Sequence, residues 1–386
     1  MQGRNFSFIF VILVLAFTIF FLLNKEDTNI PVKTLTQIAK VPSKPINQST
    51  TSISSINKPQ TIVLENSNIP NFVEEKREID FLGCVPDIVF DEEKKQQNIE
   101  EYFKSLSNSS AQKDLFYHAL FVKLEKEQNR LDLIFDYINR FSADPFIAKN
   151  AINLCTFTKD SRCTKEFVNN SAMFDKENSA IWLSAASYYA NRGDDEGVLD
   201  SIIKLIQAPI FNERYGESAA IYALALESSS ENNFSQNAML GLATSSILPS
   251  FGPITEWCKN NASDIEKSEA CLALGQNIEN RSKTMITHAI GLALQEIIFK
   301  SQNNNDLILE LNQKRKILDT RDNQEAYFKT HIMLMLDERL TRSWLNNLDS
   351  IGEFETQKRA VKESNELYQQ NENYLCSMIN DAISNF

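Results

Sequence analysis

The side chains in this chain best suited to chemistry are six cysteines and three histidines. The cysteines are Cys84, Cys155, Cys163, Cys258, Cys271 and Cys376. An even count suits disulfide bonding in an exported domain, and free buried thiols in a cytosolic one. None forms C-x-x-C, so neither a thioredoxin-like nor a zinc-ribbon reading has support. Cys155 falls in the last turn of a helix expected to open at Asp144-Pro145. Cys163 falls in the first turn of one expected to be capped by Asp160. In a helical hairpin those two turns face each other, which predicts Cα atoms within the ~4.4–6.8 Å that a disulfide requires. Cys258 and Cys271 repeat the arrangement less tightly, with Cys271 inside a helix expected to be capped by Ser263. Cys84 and Cys376 are expected to join the first ordered segment to the last helix, because domain termini are often close.

The histidines, His118, His288 and His331, each sit at the flank of an apolar helix face. No two are at i, i+4 spacing and there is no H-E-x-x-H, so they read as structural residues rather than metal ligands or catalytic bases. The chain has no G-x-S-x-G, no phosphate-binding glycine loop and no dinucleotide fingerprint. No cofactor and no metal are expected.

The elements that must position these residues begin with Phe6 to Asn24, nineteen uncharged residues dominated by Phe, Ile, Leu and Val. As a helix they span ~28 Å, close to a bilayer core of ~30 Å. The rival reading is a cleaved signal peptide, which needs a shorter apolar core and a small-x-small cleavage site. Here the run ends in Leu22-Leu23-Asn24-Lys25, so an uncleaved anchor over 1–24 is expected. Lys25, Lys33, Lys40 and Lys44 come after the span and only Arg4 precedes it, which argues against export of the C-terminal bulk. That rule weakens before a long domain, and a five-residue tail suits a signal anchor. The expected location is therefore the inner membrane, single-pass, with the bulk exported to the periplasm.

Residues 25–75 are rich in Ser, Thr, Asn, Lys and Pro, with Ile62-Val63-Leu64 their only apolar patch. Such composition cannot bury enough apolar surface to offset ordering, so a flexible spacer is expected. Residues 76–386 are expected to form one all-α soluble domain. Glycine is scarce at ten, and only four of the ten prolines lie from Pro145 onward. Sheets and phosphate loops need turn residues at shorter intervals. The net charge of −12 disfavours nucleic acid and a basic face on anionic lipid.

Helical signals recur along this domain. Glu92 to Leu106 reads as a polar helix. Ser109 with Gln112, and Ser263 with Glu266, have capping-box spacing. Leu131, Ile134 and Ile138 lie on one face, as do Ile286, Ile290, Ala293 and Ile297. Tyr215–Leu226 and Ala238–Leu248 are expected helices. Glu353–Asn373 reads as a largely solvated helix, succeeded by an apolar stripe ending at Phe386.

Between Asn178 and Pro209, Trp182, Ala186 and Tyr189 precede Asn191-Arg192-Gly193-Asp194, and Pro209 closes the segment. This pattern resembles one unit of a tetratricopeptide-type helical hairpin, with Val198 and Ile202 standing where that repeat has a small residue and an aromatic. The resemblance implies a right-handed, solenoid-like stack of helical hairpins. Trp182, Tyr188, Tyr189, Trp257 and Trp344 then become candidates to line a peptide groove, or to fill hairpin cores. Glu217-Ser218 superficially resembles the catalytic Glu-Ser pair of lytic transglycosylases, although the downstream segment of that family is represented only by Met239-Leu240-Gly241-Leu242. The functional expectation is an envelope adaptor or scaffold that binds a protein partner. The alternative is a peptidoglycan-cleaving hydrolase using Glu217.

Overall fold

The computed structural model describes residues 92–126, 128–244, 250–317 and 324–370. All belong to a compact unit running from Arg77 to Phe386. The expected anchor, the spacer, Cys84 and Cys376 lie outside the described residues. Among the described residues, no helix is long and apolar enough to cross a membrane.

The domain is all-α. Among the described residues its sixteen helices are α1 Glu92–Ser105, α2 Gln112–Phe121, α3 Arg130–Phe141, α4 Pro145–Phe157, α5 Lys165–Ala172, α6 Ser179–Asn191, α7 Asp195–Gln207 and α8 Tyr215–Leu226, then α9 Phe234–Thr244, α10 Phe251–Asn260, α11 Ile265–Arg281, α12 Met285–Ser301, α13 Asn305–Ile317, α14 Gln324–Leu336, α15 Glu338–Ile351 and α16 Glu353–Gln370. Many pack as adjacent pairs, most extensively α6 with α7, α8 with α9, and α11 with α12. Local capping explains the starts. Asp144 accepts from Ile147 N ahead of Pro145, as its sequence implies. Two other caps differ from expectation. Ala111, not Ser109, precedes α2, and Ser109 instead hydrogen-bonds to Asp114. Asp264, one residue after Ser263, accepts from Lys267 N and starts α11. A carboxylate is the stronger acceptor for an orphan N–H at a positive helix end.

The pairs do not stack solely in chain order. α4 and α10 both pack on α6, and α11 packs on α7. These helices share one apolar core that includes Ile134, Ile147, Ile152, Leu183, Ile202, Ile254 and Leu274. The α8–α9 hairpin instead meets α14 and α15, building a second core around Ala223, Leu334, Trp344 and Leu348. A third cluster joins α1 and α2 to α8, where Phe121 meets Tyr222 edge-on at 5.0 Å between ring centres.

The α6–α7 hairpin forms as the sequence implies. Its turn closes through Gly193 at φ 66°, with Asp194 N donating to Tyr189 O. Trp182, Ala186 and Tyr189 are buried on α6, and Val198 and Ile202 on α7. The two helices approach so closely at Gly197 that a Cβ there would overlap the Tyr189 ring. Gly197→Ala is expected to destabilise the domain by about 1–3 kcal/mol, despite alanine's better helix propensity. Urea unfolding checks this, and a neutral or stabilising result would show that the ring moves aside freely.

α12 turns a different face inward from the one its pattern suggests. Ile286 is exposed, and Ile290, Ala293 and Ile297 are only partly buried. The core face is Thr287, Gly291, Leu294 and Ile298. A Cβ at Gly291 would lie 2.6 Å from Glu279 N, so this close crossing with α11 sets the rotation of the helix. α16 is also less solvated than its charge suggests, since Thr356, Gln357, Ala360 and Ser364 are buried.

Candidate functional site

Two cysteine pairs are bonded. Cys155 at the end of α4 bridges Cys163 just before α5, with Cα atoms 5.4 Å apart. Cys258 in the last turns of α10 bridges Cys271 in α11 at 5.7 Å. The cap of α5 is Thr164 rather than Asp160, which places Cys163 one residue before the cap and outside the helix. Asp160 instead accepts from Arg162 N and pairs with the Arg162 side chain. All four cysteines are buried. The two disulfides fit an oxidising, extracytoplasmic location.

The aromatic candidates lie in the cores. Trp182, Tyr189, Trp257 and Trp344 are each no more than 6% exposed. Trp182 Nε1 donates to Lys176 O, and Tyr189 OH donates to Asn169 Oδ1. Trp257 Nε1 donates to Asp195 Oδ1, which ties α10 to the start of α7. Two histidines meet backbone carbonyls, His118 at Phe103 O and His331 at Tyr327 O. Burial lowers the His288 imidazole below its ordinary range. Among the described residues, no group of three or more His, Cys, Asp or Glu is placed to hold a metal ion.

A largely buried charged constellation gathers at the ends of α4, α8, α12, α15 and α16. Lys149 on α4 is 3% exposed, and its ammonium donates to Glu213 O. Burial pushes it down to about 8, against the opposing pull of Glu213. Glu213 is 2% exposed. Its carboxylate accepts from Lys283 N, Thr284 N and Thr284 Oγ1, at the start of α12. Asp349, in the last turn of α15, accepts from Gly216 N at 3.1 Å and Glu217 N at 2.7 Å. These are orphan donors of the first turn of α8, whose own N-cap, Arg214 at φ 58°, contributes no side-chain cap. Glu353 opens α16 and accepts from Met285 N at 2.7 Å. Burial raises the Asp349 and Glu353 carboxyls above the ordinary range, helped by neighbouring carboxylates, and burial also raises Asp144.

Glu217 lies at the rim of this junction. Its carboxylate pairs with Arg214 at 2.7 Å, and its side chain is 39% exposed. Arg214 also pairs with Asp175 at 3.0 Å. Burial alone would lower the Arg214 guanidinium, but Glu217 and Asp175 outweigh it and hold it above its ordinary range. A glycosidase acid needs an apolar surrounding that keeps its proton on near neutrality. Glu217 has a cation instead. Met239-Leu240-Gly241-Leu242 belongs to α9, which packs on α8 as part of the hairpin. Chemically, the junction joins helix ends through carboxylates acting as caps across the fold. The sequence marks Asp144 and Glu353 only as helix starts and Glu217 only as a lone candidate, since the junction's members come from five separate stretches and no local spacing links them.

No family model, curated protein or solved structure matches the chain.

Proposed function

We propose that this chain is a membrane-anchored, exported scaffold of the cell envelope that binds another protein. Phe6–Asn24 anchors it in the inner membrane, residues 25–75 are the spacer, and the helical domain works in the periplasm as a tetratricopeptide-like stack of hairpins. The observation that carries the binding reading is an apolar ridge left open on the α6–α7 hairpin. Ile203 and Ile206 on α7 are 53% and 40% exposed, and Ile210 just beyond it is 50% exposed. Ile210 is pinned beside the start of α6, its N–H donating to Glu177 O and its carbonyl accepting from Ser179 N. Met173 and Phe174, both exposed, lie in the short turn leading to the same point. Charges of both signs flank the ridge: Lys176, Glu177, Asp200 and Lys204. An apolar centre with a mixed polar rim is the anatomy of a protein interface. It suits neither an anionic lipid surface nor nucleic acid.

A photocrosslinking residue at position 206, in the full chain in its native cell, is expected to trap one discrete envelope protein. Ile203→Asp combined with Ile206→Asp should abolish the adduct at unchanged helicity. Crosslinks spread over many proteins, or unaffected by the substitutions, would overturn the reading. The same reading expects no clearing of cell-wall material by the domain in a zymogram. Clearing that Glu217→Gln removes would replace the scaffold with a hydrolase.

A further inference from the structure

We propose that the buried junction is a proton-operated latch, which holds the α15–α16 hairpin on the rest of the domain more tightly at mildly acidic pH than at neutral pH. The fastenings converge on the turn of that hairpin. Asp349 caps α8, and Lys283 Nζ donates to Ser350 O. Glu353 caps α12 at Met285 N, while its own N–H donates to Lys283 O at 2.6 Å. Each partner lies more than sixty residues away in sequence, so the ties are tertiary and open together if the hairpin leaves.

The charge balance around these ties is lopsided. Facing Asp349 and Glu353 are the carboxylates of Glu213 and Glu217, with Asp144 and Asp175 behind them. The cations are Lys149 from α4, Arg214 ahead of α8, and Lys283 from the turn before α12. Six carboxylates thus share three cations in a largely buried space. Backbone N–H groups offset part of the excess, and a bound proton offsets more.

Asp349 and Glu353 hold protons more tightly when docked than when released. Docking is therefore favoured as pH falls from neutral through their raised range, and the added grip levels off below the ordinary carboxylate range near ~4. It is lost as pH rises through the raised range. Partly buried carboxylates such as Asp160 and Asp195, held low by Arg162 and Lys267, work in the opposite sense. The latch is consequently read as a difference between variants, not from the whole protein alone.

Hydrogen exchange of the oxidised full chain, monitored by mass spectrometry at pH 5.5 and 7.5 and corrected for intrinsic rates, tests it. Peptides from α15 and the start of α16 are expected to open several-fold more often at pH 7.5, with α6–α7 peptides showing no such ratio. Asp349→Asn and Glu353→Gln should each bring the ratio toward one, and Glu355→Gln, on an exposed part of α16, should leave it intact. If Asp349→Asn does not fold, Glu353→Gln carries the test. Equal loss of protection at both pH values, an unchanged ratio, or a ratio of opposite sense would overturn the proposal.

Discussion

Replacing Glu213 with alanine is expected to destabilise the domain by about 3–5 kcal/mol, because buried donors lose a charged acceptor and a nearby buried cation loses its counter-charge. Two losses combine. Lys283 N, Thr284 N and Thr284 Oγ1 lose their acceptor at the start of α12. The Lys149 ammonium, fully buried, loses the carboxylate that opposes its desolvation. Glu213→Gln keeps an amide oxygen for the α12 donors but removes the charge, so a smaller loss is expected. Lys149→Met in the Glu213→Ala background should recover part of the deficit, because the stranded cation is gone. Urea unfolding of the wild type, of Glu213→Ala and Lys149→Met singly, and of the double variant yields the coupling between the two sites. A single-variant loss under about 1 kcal/mol, or purely additive effects, would show that water already reaches the junction.

Removing both disulfides is the second large perturbation. The bridged cysteines are 8 and 13 residues apart. Loops this short give about 2–3 kcal/mol each in the chain-entropy treatment, whose mechanism is disputed. The two sites belong to different hairpins, so their effects should nearly add. Together they amount to about 5 kcal/mol, a large part of the 5–15 kcal/mol typical of whole domains. Cys155→Ala with Cys163→Ala, and the matching pair at 258 and 271, are expected to lower the unfolding midpoint singly and to leave a marginal fold together. Native-state alkylation should label none of the four sulfurs. Denaturation without reductant should still label none, and reductant should release all four. Labelling on denaturation alone would mean separate thiols and would remove the support for an extracytoplasmic setting.

What the sequence made legible was local. Asp144-Pro145 marks the start of α4 because a cap and a proline act within one turn. Tyr215–Leu226 matches α8 to the residue, its apolar run being bounded by polar residues on both sides. Cys155–Cys163 was legible because its geometry depends only on two neighbouring helix ends. Legibility failed where neighbours compete. Ser263 and Asp264 stand side by side as caps, and the carboxylate won. On α12, a stripe of four apolar residues outscored a face containing Thr287 and Gly291, yet close backbone packing selected the latter. The junction failed for a deeper reason. Asp349 caps a helix more than 130 residues earlier, a relation that exists only once the fold does.

The division of the cores has a consequence for how the chain is made. α8 and α9 leave the ribosome long before α15, the helix that covers their second face. At 5–20 residues per second, the stretch from Leu226 to Glu338 takes on the order of ten seconds to synthesise. Throughout that interval, Ala219, Ala223, Phe234 and Ala238 lack their eventual cover from Leu340, Trp344 and Leu345. A holding chaperone, or collapse delayed until synthesis is complete, would shield them. The first core has no such debt toward the C-terminus, since α12 already completes it. Truncation after Ser301 should therefore leave a soluble body around α4–α7 and a sticky α8–α9 hairpin beside it.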